Sequence, residues 1–219
     1  MTAVALVILV SLGVWQLDRL QQKEAILADI DTGLASSPIP LPAVVGQPSD
    51  WSFRPVLLTG TLDHDREVFL YATNLAGQVG YHVLTPLMRP QGAPVLVDRG
   101  WVPLDRKAAE TRVEGQLEGT VTVGGIARVP ETPGPFIPEA DWAGRVWFDM
   151  DLDSIGSAIG LELAPVIVQA DASPNPGGFP VGGQTRIDIP NNHLDYALTW
   201  FGLAVVLAVI FVVYWRRRR

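Results

Sequence analysis

The chain has three histidines, His64, His82 and His193, and no cysteine. Disulfides and thiolate metal centres are therefore excluded. No HExxH, GxSxG, P-loop or dinucleotide fingerprint occurs. Asp63-His64-Asp65 sets two carboxylates beside an imidazole, a donor set that a metal would accept. Its position between two strand-like runs equally describes a solvated turn. His82 falls within a strand, where a half-buried structural imidazole is expected. Carboxylates are plentiful, but no spacing singles out a catalytic pair. An outer-face hydrolase using His64 or His82 would lack a nucleophile motif, so the chain reads as a protein that is not an enzyme.

His193 sits in a different pattern. His193, Tyr196, Ala197 and Trp200 are spaced i, i+3, i+4 and i+7, one face of a helix. Near the other end of the chain, Gln16, Arg19 and Lys23 are spaced i, i+3 and i+7, with Trp15 adjacent. An imidazole nitrogen is an axial ligand for haem iron. Aromatic rings and apolar walls suit the macrocycle, and Arg and Lys pair with its propionates. The same residues also describe ordinary helix ends at a membrane surface, an interfacial His with snorkelling Arg and Lys. Either reading needs two helices side by side at one membrane face.

The two ends of the chain supply such helices. The first charged side chain is Asp18, and none occurs between Asp195 and Arg216. Residues 196–215 form a 20-residue uncharged run, which as a helix covers about 30 Å, the hydrocarbon thickness of a bilayer. Tyr196 and Trp200 mark one end, and Tyr214 and Trp215 the other, as an aromatic belt. Arg216 to Arg219 put the C-terminus in the cytoplasm by the positive-inside rule. Residues 1–17 make a shorter first span, read as an uncleaved anchor rather than a signal peptide because no basic residue precedes it and no small-x-small site follows. That missing basic flank points to a start upstream of Met1. Both termini are then cytoplasmic and residues 36–190 form an extracytoplasmic domain in contact with membrane lipid only at its ends. The net charge is −7, with 16 Lys+Arg against 23 Asp+Glu, and without the terminal arginines it is −11. So acidic a chain has no phosphate-binding surface, which excludes nucleic acid as a partner.

Between the spans, residues 18–35 continue the first helix, and Pro38 and Pro40 end it. Residues 36–48 form a Pro-rich connector. Short strands are expected over 54–62, 67–72, 81–88, 95–97, 119–127, 146–150 and 165–169. Short helices are expected over 105–111 and 152–159, the second capped by Asp151 or Asp153. Residues 171–183 are a Gly/Pro loop. The fold class is membrane-anchored α+β: two transmembrane helices flanking a β-rich domain, a small antiparallel barrel or sandwich.

These motifs resemble the Surfeit-locus-one (Surf-one or Shy-one) family. The first helix carries Gly13-Val14-Trp15-Gln16 with Arg19 and Lys23. The middle carries Gly77-x-x-Gly80, Thr85-Pro86-Leu87 and Val97-Asp98-Arg99-Gly100-Trp101-Val102-Pro103, with Asp98 where the family usually shows Asn. The end carries Asn191-Asn192-His193-Leu194-Asp195-Tyr196-Ala197-Leu198-Thr199-Trp200-Phe201-Gly202. The resemblance implies an assembly factor for cytochrome c oxidase in the bacterial plasma membrane or its mitochondrial counterpart, and the bacterial membrane is the one expected here. It implies that haem a is bound and handed to oxidase subunit I, with haem a synthase a further partner. The family's membrane-boundary histidine falls on His193, the iron ligand in this reading, with Tyr196, Trp200, Trp15, Gln16, Arg19 and Lys23 around the cofactor. A cofactor-free scaffold for subunit I is the alternative. Arg99 and Trp101 are read either as a partner-contact surface or as an arginine fixing a turn beside a packed indole.

Overall fold

In a computed structural model of the chain, residues 2–130, 134, 136–185 and 191–218 are described. Met1 of the expected first span, Arg219 of the basic tail and residues 186–190 at the end of the expected outer domain lie outside the described residues. The chain divides into two compact units, Met1–Thr32 with Ile187–Arg219, and Gly33–Arg186.

The first unit holds α1 (Thr2–Leu34) and α3 (His193–Arg218). Both are long and apolar enough to cross a membrane. At 33 residues, α1 is about 50 Å long and outruns a bilayer core by several turns. The buried positions on α3 include Ala197 and Ala204, and those on α1 include Gly13 and Gln16. Small residues let helix backbones approach closely where the hydrophobic effect gives no drive. A Cβ on Gly13 would lie 2.5 Å from the Phe201 ring.

The second unit is a β-barrel with additions. Its strands are β1 (Ile39–Pro40), β2 (Arg54–Leu62), β3 (Val68–Thr73), β4 (Val79–Met88), β5 (Val95–Pro103), β6 (Thr120–Arg128), β7 (Val146–Trp147) and β8 (Ile167–Ala170). The sheet order is β1-β2-β6-β8-β5-β4-β3-β7, and a β2–β4 pairing at Thr61↔Met88 and Leu62↔Leu87 closes five strands on themselves. The barrel is antiparallel except where β5 runs parallel to β8. Closure removes the free edges of those strands.

Along β2, Val56, Leu58, Gly60 and Leu62 alternate inward, the period-2 signature of a strand with one buried face. With Leu87, Val95, Val97, Ala127 and Val168 they fill the barrel. β5 and β8 are buried on both faces, because Leu96 and Ile167 turn away from the barrel onto Ile155, Ile159 and Trp147. Ile155 and Ile159 lie on α2 (Leu152–Ile159). Asp151 caps that helix by accepting from the Asp153 and Ser154 amides, both at 3.1 Å, and Gly160 ends it at φ 69°.

β5 runs to Pro103, six residues beyond the apolar run 95–97. Polar residues suggested an end that the structure does not have. Pairing with β4 shifts between His82 and Leu84, so β5 holds one extra residue there, a β-bulge. Gly100 lies in the bulge at φ 120°, and a Cβ on it would strike the Val181 carbonyl. The Trp101 amide in turn donates to that carbonyl at 2.9 Å. The segment 105–111, expected as a helix, is two 3-10 turns, Leu104–Arg106 and Ala109–Gly115.

Candidate functional site

α3 begins at His193, so the imidazole stands on the first turn of the second apolar helix. It is half-buried, and Ala197 and Ala204 continue the same stripe. His193 Nδ1 lies 2.7 Å from Gln16 Oε1. Gln16 is buried, at 8% exposure, one turn along α1 from Gly13. The Gln16 side-chain oxygen is an acceptor, so this contact is made when the ring carries a proton on Nδ1. Among the described residues Nε2 has no hydrogen-bond partner.

The other expected residues spread around this pair. Trp200 is half-buried, whereas Tyr196 and Trp15 are 56% and 49% exposed. Arg19 does not join Gln16 on the buried stripe. It is exposed, donates from Nη1 to Gln22 Oε1 at 2.9 Å, and its guanidinium lies 5.8 Å from the Trp15 ring centroid. Lys23 is half-buried. The i, i+3, i+7 spacing therefore splits: Gln16 meets the imidazole, and Arg19 turns to its neighbours on the helix surface.

A second polar constellation lies within the barrel domain, where sequence spacing gave no sign of it. Glu67, just before β3, is 5% exposed. Its carboxylate accepts from Arg112 Nη1 and Nη2 at 3.3 and 2.6 Å, from Arg99 Nη1 at 3.2 Å and from Thr85 Oγ1 at 3.2 Å. His64 Nδ1 lies 3.3 Å away, while His64 Nε2 donates to the Leu117 carbonyl at 2.9 Å. Burial alone would raise the Glu67 carboxyl. Hydrogen bonds from His64 and Arg112, with the charges of Arg112 and Arg99, overcome it and hold the group at about 2. Burial and the Arg112 charge push the Arg99 guanidinium down, against the pull of Glu67. Arg112 spends its remaining donors on the Arg106 and Lys107 carbonyls, and Arg99 Nη2 donates to the Gly115 carbonyl. The groups are 32 and 45 residues apart, so no local pattern could have joined them.

This arrangement decides how several expected residues stand. Asp63-His64-Asp65 is a turn whose His64 is tied to Leu117 and Glu67 and whose Asp63 is bonded by Arg66. Among the described residues no cluster of His, Asp and Glu suits a metal ion. Arg99 and Trp101 are 3% and 7% exposed, so neither side chain offers surface to a partner. The Trp101 indole packs over Gly80, whose Cβ would strike it, and its Nε1 has no hydrogen-bond partner among the described residues. His82 is buried rather than half-buried, and its Nδ1 donates to Asp98 Oδ2 at 2.8 Å.

Fold and site define a class: a five-stranded barrel domain set, in sequence, between two apolar helices, with one imidazole presented where those helices meet. The family model described as SURF1 family matches residues 3–205. Surfeit locus protein 1 of Rattus norvegicus is 32% identical over 214 residues, which cover 91% of this chain and 69% of the relative. That of Takifugu rubripes is 34% identical over 208 residues, covering 88% and 86%. The SURF1-like protein of Rickettsia felis is 31% identical over 214 residues, covering 95% and 92%. The chain belongs to the SURF1 family.

Proposed function

We propose that this protein is an assembly factor for cytochrome c oxidase that holds haem a at the outer boundary of the bacterial plasma membrane and supplies it to oxidase subunit I. The observation that carries the reading is the His193–Gln16 hydrogen bond of 2.7 Å, which engages Nδ1 and leaves Nε2 to serve as the donor nitrogen. His193 would hold haem through this nitrogen, since haem iron accepts an imidazole ligand. Trp200, Tyr196 and Trp15 supply aromatic surface at that level, and Arg19 and Lys23 supply cations for propionates. Both helices are apolar enough to span, and the terminal arginines favour a cytoplasmic C-terminus. The residues between the two helices would then lie on the side of the membrane away from the cytoplasm.

An imidazole backed by an amide rather than a carboxylate is a modest ligand, suited to holding rather than keeping. The test is purification of the full chain in detergent after expression with haem a synthesis. Wild type should carry a red-shifted Soret band, and His193→Ala should lose most of it. Equal haem content in the two would refute the ligand assignment.

The cofactor-free scaffold has one observation in its favour. Tyr81, Tyr71 and Phe148 form an aromatic ladder across β4, β3 and the end of β7, with ring centroids 5.8 Å apart at each step. Tyr71 and Phe148 are 43% and 37% exposed, and aromatic surface of this kind is common at protein interfaces. On this reading subunit I binds the His193→Ala chain as well as it binds wild type.

A further inference from the structure

We propose that Gln16 is the positioning residue of His193: its side-chain carbonyl fixes the imidazole as the Nδ1–H tautomer, so that Nε2 and not Nδ1 is the nitrogen offered to iron. The inference deepens the function proposed above and rests on it for the identity of the metal. The tautomer itself is a property of the protein without cofactor.

Gln16 is buried, and a buried amide must find a partner or carry a desolvation cost. Its partner is His193 Nδ1, across 177 residues of sequence. Gln16 follows Gly13 by one helical turn, and Gly13 is where the Phe201 ring sits against α1. That close approach sets the helix spacing on which the bond depends. The chemistry of the partner matters as much as its place. A carboxylate at this position would draw the Nδ1 proton and make the imidazole strongly donating, whereas an amide carbonyl leaves its donor strength moderate. Gln16 therefore sets both which nitrogen binds and how firmly. Outer-shell partners of metal-bound imidazoles are worth about 10–100-fold in affinity.

The test uses the full chain in nanodiscs, with ¹⁵N-labelled histidine and no haem. The His193 ring should show a protonated Nδ1 in wild type and shift towards Nε2–H in Gln16→Leu. Haem titration should then give a 10–100-fold weaker complex for Gln16→Leu. Gln16→Glu, which keeps size and acceptor, should retain the Nδ1–H tautomer, bind at least as tightly as wild type, and lower the iron reduction potential. A wild-type ring protonated at Nε2, or one that Gln16→Leu leaves unchanged, would overturn the proposal whatever happens with haem. A tautomer that follows Gln16 while no form of the protein binds haem would uphold the positioning role and refute the ligand assignment instead.

Discussion

Among the described residues, Glu67 in the barrel domain has four side-chain partners, His64, Thr85, Arg99 and Arg112, whereas His193 in the helix pair is bonded to Gln16 through a single ring nitrogen. The two regions draw on the same chemistry, imidazole and amide or carboxylate oxygen, for opposite ends. In the barrel the Glu67 carboxylate is spent on buried donors, and the cluster ties the start of β3 to β5 and to the 3-10 segment Ala109–Gly115. In the helix pair one ring nitrogen meets Gln16, and the other has no hydrogen-bond partner among the described residues. A buried network that is satisfied specifies a fold, and on the function proposed above the second nitrogen is the one left for a ligand. Three histidines look alike in a sequence, and the number of their partners tells them apart.

The largest effect expected from breaking this contrast is on the closed side. Glu67→Leu would leave two buried guanidiniums facing each other with no carboxylate. Stranding buried charges costs about 3–5 kcal/mol, a large part of the stability of a domain this size. Urea unfolding of the full chain, followed by tryptophan fluorescence, should show the loss. The His193 ring signals should not move, since the helix pair is a separate compact unit. A loss below about 1 kcal/mol would mean that the cluster is solvated and the contrast false.

Acid should act on the same cluster. The Glu67 carboxyl is held at about 2, below its ordinary value of 4.5. A depressed carboxyl contributes stability that is complete above the unfolded value and is lost as pH falls through the folded one. The barrel domain should therefore lose stability between about pH 4.5 and pH 2. In Glu67→Leu that part of the acid dependence should be absent, which separates it from the effect of the other carboxylates.

The closed cluster was also the part hardest to read from sequence. β2 was legible because its burial alternates, and α2 because Asp151 and Gly160 punctuate it. The end of β5 was not, since Asp98 and Arg99 look like a turn until Glu67, Gly115 and His82 are brought to them from other elements. The stripe on α1 was half legible. Helical spacing put Gln16, Arg19 and Lys23 on one side, but the packing of Gly13 against Phe201 decides which of them faces the partner helix. The place of His193 was legible because it is local: it begins an apolar helix, and the residues spaced along that helix follow from periodicity.

That packing offers a smaller test on the open side. Gly13→Val would press a branched side chain into the Phe201 ring and move α1 away from α3 one turn from Gln16. The His193–Gln16 bond should weaken, and haem retention should fall about tenfold, an effect of about 1.4 kcal/mol. The unfolding midpoint of the barrel domain should stay where it was. Replacing Phe201 with Leu in the same chain makes room for the valine and should restore most of the loss. Without that restoration, the spacing between helices would not be what holds the pair.

The smallest effect bears on whether the closed and open histidines obey one rule. Asp98 Oδ1 accepts from the Gly100 amide at 3.0 Å, and Oδ2 accepts from His82 Nδ1 at 2.8 Å. In Asp98→Asn, the residue that the family resemblance expects here, the amide oxygen can keep the Gly100 bond that shapes the bulge. The amide nitrogen then faces His82 and donates to Nδ1, so the ring proton must move to Nε2. A charge-assisted hydrogen bond is exchanged for a neutral one at a cost of about 1 kcal/mol, and the fold should tolerate it. The His82 ¹⁵N signals should change tautomer while those of His193 do not. If the oxygen opposite Nδ1 fixes the ring proton at both sites, then the buried His82 differs from His193 in what surrounds Nε2, and the capacity to take a ligand lies in that difference.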